Sequence, residues 1–85
     1  MNRYIPFMIG VGFGNSVRTG GIDAVVNPES APVKRMIQDA RDVNKLVDAT
    51  QGRKTRSVLV MSSGNVVLSA LQAETIMARA NNESS

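Results

Sequence analysis

Ser57-Val58-Leu59-Val60-Met61, the connection Ser62-Ser63-Gly64-Asn65, and Val66-Val67-Leu68-Ser69-Ala70-Leu71 together decide the fold of this 85-residue chain. Two aliphatic, β-branched runs joined by a short polar link containing glycine read as a β-hairpin. Both of its faces are apolar, with Leu59 and Met61 on one side and Val58 and Val60 on the other. A strand that is apolar on both faces belongs in a sheet covered twice. One cover is predicted to be a helix of the same chain and the other a neighbouring subunit.

Upstream, Asn27-Pro28-Glu29-Ser30-Ala31-Pro32 marks the start of a helix, with Ser30 as N-cap and Pro32 in the first turn, where a missing N–H costs nothing. The helix is predicted to run to about Asn44, with Val33, Met36, Ile37, Ala40 and Val43 on its apolar stripe. Arg35 and Asp39 stand at i,i+4 spacing on its polar face, a pairing of a few tenths of a kcal/mol. A short strand is expected over residues 46–50. Toward the N-terminus, residues 4–11 read as a first strand. Gly10, Gly12 and Gly14 suggest a bulge or a close backbone approach, and a short strand follows at Asn15–Arg18. After the turn Thr19-Gly20-Gly21 comes a strand at Ile22–Val26, with Ile22, Ala24 and Val26 on one face and Asp23 and Val25 on the other. Residues 74–80 read as a final short helix and 81–85 as a disordered tail. The sum is an α+β fold. It is a small β-rich domain of mostly antiparallel strands, with one central amphipathic helix and a short C-terminal helix, occupying residues 1–80 as a single domain.

Composition narrows the function. The chain contains no cysteine and no histidine, which removes disulfides, thiolate metal sites and the usual general base. The glycines do not make a nucleotide loop: after Gly10 and Gly12 the dinucleotide fingerprint requires glycine where this chain has Asn15, and no Gly-Lys-Ser or Gly-Lys-Thr occurs. Asp39 and Asp42 lie on the solvated helix face beside basic residues, and Met36, Met61 and Met77 are gap fillers of a core. No enzymatic activity, metal or cofactor is expected. Pro6 and three glycines interrupt the one segment that imitates a signal peptide, so a cytoplasmic location is expected.

Charge is unevenly placed. Net charge is +3, and between Ala49 and Ala73 stand Arg53, Lys54 and Arg56 with no acid, while the other seven bases face seven acids. The whole excess sits in Gly52-Arg53-Lys54-Thr55-Arg56, on a loop where Gly52 supplies a left-handed conformation. Arginine pairs bidentately with phosphate oxygens, lysine adds a point charge and Thr55 a hydroxyl donor. Three phosphate contacts give a salt slope of only about −2.7, too shallow for tight binding by one subunit. Useful affinity for DNA therefore requires several copies on one assembly. A domain this small also gains stability from association.

Several stretches resemble one family: Gly12-Phe13-Gly14-Asn15; Pro28-Glu29-Ser30-Ala31-Pro32-Val33-Lys34-Arg35-Met36-Ile37-Gln38-Asp39-Ala40-Arg41-Asp42; Asp48-Ala49-Thr50 with Gly52-Arg53-Lys54-Thr55-Arg56; and Leu68-Ser69-Ala70 with Glu74-Thr75. They are similar to the RemA family of bacterial extracellular-matrix regulatory proteins, over about residues 7–77. The resemblance implies a small cytosolic, nucleoid-associated DNA-binding protein with a LytTR-like domain. It also implies assembly into homo-oligomeric rings and activation of biofilm-matrix genes, with the family's DNA-contacting basic pair falling on Arg53 and Lys54. The chain departs from the family at Gly20-Gly21, where relatives carry an Asn-Arg pair, with Arg18 close by in sequence. The expected DNA-binding residues are Arg53, Lys54 and Arg56. The expected partners are double-stranded DNA and further copies of the chain, with no membrane and no small-molecule substrate. The competing reading is an oligomeric protein-interaction scaffold, or a module binding a phosphorylated ligand through the same loop.

Overall fold

A computed structural model describes residues 8–84. The expected hairpin forms from β5 (Ser57–Met61) and β6 (Val66–Ser69), paired antiparallel with Val58 opposite Leu68 and Leu59 opposite Val67. With β3 (Ile22–Val26) and β4 (Leu46–Asp48) they make a four-stranded sheet in the order β3-β5-β6-β4. The β4–β6 pair is parallel, the one such pair among the described strands. A separate two-stranded antiparallel sheet consists of β1 (Met8–Gly12) and β2 (Asn15–Arg18). Residues 4–7 of the expected first strand lie outside the described residues. The fold is thus the α+β arrangement expected, with one central helix and one C-terminal helix.

Helix α1 (Ala31–Asp42) begins where its sequence says it should. Ser30 is the N-cap by backbone geometry, but its hydroxyl makes no capping bond. Pro32 at N2 has removed one of the two N–H groups such a hydroxyl would bind. The other end closes cleanly: Asn44, at φ 59°, donates its N–H to the Arg41 carbonyl, and the Lys45 N–H reaches the Ala40 carbonyl at 2.8 Å. These paired bonds turn the chain sharply into β4. They also correct the expected apolar stripe, because Val43 falls on the cap outside helical geometry and is 64% exposed. On the polar face, Gln38 bonds to Asp42 and Arg41 to Gln38, whereas no Arg35–Asp39 pair forms among the described residues.

The core has two halves on opposite faces of the sheet. Beneath α1, Val33 and Ala40 pack with Val58, Val66 and Leu68. On the other face Ile9, Val11, Ala49, Leu59, Val67 and Ile76 make the second cluster. The second cover is therefore the β1–β2 hairpin with α2 (Ala73–Ser84), where a neighbouring subunit had been expected. The β1 residues on either side of Gly10, Ile9 and Val11, supply this burial. A register shift between Gly10 and Gly12 is the expected bulge. A second bulge at Asp23 breaks the alternation expected for β3, so Ile22 and Val25 join the second cluster while Val26 joins the first. The C-terminal helix continues through Ser84, so the stretch 81–84, expected to be disordered, is helical. Once a helix has nucleated, each further residue adds a bond at small cost.

Ser69 ties the layers together. It is fully buried in β6, its hydroxyl donates to the Val11 carbonyl at 2.6 Å, and it accepts from the Leu71 N–H at 3.1 Å. Ser69→Ala removes this buried donor to the Val11 carbonyl and the acceptor of the Leu71 N–H. Urea unfolding should show a loss of about 1–3 kcal/mol, against no more than about 0.5 kcal/mol when an exposed serine such as Ser16 is replaced instead.

Candidate nucleic-acid interface

The basic residues occupy the connection from β4 to β5, which crosses the end of β6. Its first half is built by local polar bonds. The Thr50 hydroxyl donates to Asp48 Oδ1 at 2.6 Å and the Thr50 N–H donates to the same atom at 2.9 Å. The Arg53 N–H then closes a tight turn onto the Thr50 carbonyl at 3.0 Å. Both central residues of that turn are left-handed, Gly52 at φ 80° as expected and Gln51 at φ 52° in addition. At the far end the Arg56 N–H donates to the Ser69 carbonyl at 2.8 Å, which fixes the loop to the sheet.

These bonds leave the side chains of Arg53, Lys54 and Arg56 outside. All three are exposed, and among the described residues none has a hydrogen bond or ion pair to a protein side chain. The loop does not gather them at one point. Lys54, Thr55 and Arg56 line a cleft of about 420 Å³ with Glu29 and Glu74 at its walls. Arg53 does not line this cleft; its guanidinium carbon lies 5.0 Å from the centre of the Phe13 ring. Phe13 belongs to the β1–β2 turn and is not among the binding residues expected from the sequence. The available signal was an aromatic held between two glycines, in a chain with three aromatic residues in all.

Arg18 and Gly20-Gly21 lie elsewhere, around a groove of about 580 Å³ that Met8, Val17, Val47 and Met61 also line. A side chain at position 20 would meet open space, whereas one at 21 would meet Met61 at 3.4 Å. Gly20-Gly21 therefore lies on this groove and not on the cleft beside Lys54. Among the described residues no group of three acidic side chains is placed to hold a metal ion, and no helix is long and apolar enough to cross a membrane.

Asp48, at the root of the loop, has its titration shifted by Thr50. The Thr50 hydroxyl bond, then the Thr50 N–H bond, hold its carboxyl below the ordinary value, with a smaller contribution from Arg41. A carboxyl whose folded pKa is depressed stabilises above its unfolded value and loses that contribution as pH falls. Acidification from neutral pH to below about pH 4 should therefore loosen the loop in the native chain. The drop in thermal midpoint over that range should be smaller for Asp48→Asn, and equal drops would remove Asp48 as the acid-sensitive group.

With the loop's geometry in place, comparison with known proteins decides its kinship. Residues 8–80 match the family model described as RemA-like, Extracellular matrix regulatory protein A-like. The chain belongs to the RemA-like family. Its relatives include a "Putative regulatory protein" of Dictyoglomus turgidum, 57% identical over 72 residues that cover 85% of each chain. A protein of the same name from Synechococcus sp. (strain JA-3-3Ab) is 56% identical over 72 residues, 85% of this chain and 81% of that one. A similarly named protein of Bacillus cytotoxicus is 56% identical over 75 residues, 88% of this chain and 86% of its own. The RemA-like match spans the β1–β2 turn, α1, the basic loop and most of α2.

Proposed function

We propose that this RemA-like chain is a non-enzymatic regulator that binds duplex DNA through Arg53, Lys54 and Arg56, arrayed on a homo-oligomeric ring. The observation that carries the reading is the loop itself. Three cations stand exposed on a backbone pinned at both ends, with no ion-pair partner among the described residues, on an otherwise nearly neutral protein. Such groups pair with phosphates in any sequence, so the loop supplies position and affinity more than base discrimination. Regulation, as the relatives' names and the family description have it, then follows from occupancy or bending of promoter DNA, with extracellular-matrix genes as the target class. The protein acts in the cytoplasm, on the nucleoid.

The test is the dependence of affinity on duplex length. One subunit with three contacts binds weakly, so a ring should bind a duplex of about 150 base pairs much more tightly than one of about 20, with a steeper salt dependence. Equal affinity per site for both lengths would favour a ligand-binding module. No binding at low salt by folded protein would turn the reading toward a protein-interaction scaffold.

A further inference from the structure

The geometry points to Phe13 as a positioning residue that holds Arg53 ready for phosphate, an inference that rests on the DNA-binding reading of the loop. The turn bearing Phe13 is unusual. Gly12, Phe13 and Gly14 follow one another at φ 121°, 51° and 81°, so a bulky side chain sits in the left-handed region between two glycines. Residues other than glycine adopt that region at a cost, and it persists when surrounding contacts enforce it. Here Asn15 enforces it, its amide donating to the Gly12 carbonyl at 3.1 Å and the Phe13 carbonyl at 3.4 Å. Gly12 also lies so close to the loop that a Cβ there would stand 3.4 Å from the Ala49 carbonyl. The turn is thereby packed directly against the start of the basic loop.

The ring presented in this way does not serve the core. Phe13 is 44% exposed and belongs to neither hydrophobic cluster. Its recorded partner is Arg53, whose guanidinium lies over the ring at 5.0 Å, within the range of a cation–π contact. Arginine on an aromatic face keeps its N–H donors available at the edge of the guanidinium plane, while the long side chain loses much of its rotamer freedom before binding. A pre-ordered arginine loses less freedom when it meets a phosphate. Lys54 and Arg56 have no such support among the described residues, which makes Arg53 the anchoring contact of the three.

The test is a double-variant cycle on one fixed 20-base-pair duplex, a length chosen as about two helical turns. Phe13→Leu should weaken binding about twofold to fivefold per engaged subunit, the size of an exposed cation–π contact, while Phe13→Tyr restores it. In the Arg53→Ala background, Phe13→Leu should have no further effect. In the free protein, the Arg53 side-chain proton resonances should show a ring-current shift that Phe13→Leu abolishes and Phe13→Tyr keeps. Binding by the native protein together with unchanged binding by Phe13→Leu would overturn the proposal and leave the DNA reading standing. An equal loss in both backgrounds would also overturn it, because Phe13 would then act on the DNA or the fold without Arg53. Absence of binding by the native protein would overturn the DNA reading and this inference with it.

Discussion

Ile76→Ala should lower the free energy of unfolding by about 2–5 kcal/mol, the largest single-residue effect expected on stability. Ile76 is fully buried and is the α2 member of the cluster formed with Ile9, Val11, Leu59 and Val67. Truncation removes the burial that docks α2 and leaves a cavity between helix, hairpin and sheet. A small domain has about 5–15 kcal/mol in all, so the variant keeps only a fraction of its margin. Chemical denaturation should show a lower midpoint with an unchanged slope. Its neighbour provides the contrast: Met77 is 53% exposed, and Met77→Ala should change stability by no more than about 0.5 kcal/mol. Similar losses for both would mean that α2 is held by something other than the face described.

Arg53→Ala combined with Lys54→Ala should flatten the salt dependence of DNA binding by about 1.8 log units per log unit of salt for each engaged subunit, two contacts at about 0.9 each. Between about 50 and 200 mM salt that corresponds to roughly tenfold in affinity per subunit, compounded over the subunits that share a duplex. The loss should be similar for unrelated sequences, because phosphates are the same in all of them. Thermal stability should scarcely move, since both side chains are exposed and, among the described residues, neither makes an ion pair. A variant with the native salt slope would clear these residues of phosphate contact. A variant that unfolds would make the pair structural.

The elements that were legible in the sequence are those whose signals are local. The β5–β6 hairpin follows from two aliphatic runs and a glycine link, and α1 from a proline-marked start and a stripe at helical spacing. Gly52 could be assigned its left-handed turn because only the loop itself was involved. What escaped depended on distant partners. The parallel pairing of β4 with β6 joins segments twenty residues apart, and nothing within Leu46–Asp48 encodes it. The cover on the second face was hidden because Ile9 and Val11 alternate with glycines, which reads as weakness in a strand and proved to be a bulged strand with a buried side. At the site, charge alone located Arg53, Lys54 and Arg56. The Phe13 ring beneath Arg53 comes from forty positions earlier, through a hairpin whose placement only the tertiary structure reveals.

The route of the basic loop bears on how such proteins diversify. Eight residues connect Asp48 to Ser57. Because β6 lies between their strands, they must span only two strand spacings, about 10 Å. Fully extended, eight residues reach about 26–29 Å, so the connection has well over twice the length it needs. Ala49 and Arg56 stay bonded to the Leu68 and Ser69 carbonyls of β6, so the slack is confined to the tip at residues 51–55. Exchanging the tip for another of different length or charge leaves both anchoring strands unstrained, so the same scaffold accepts a new ligand by loop grafting without redesign of its core.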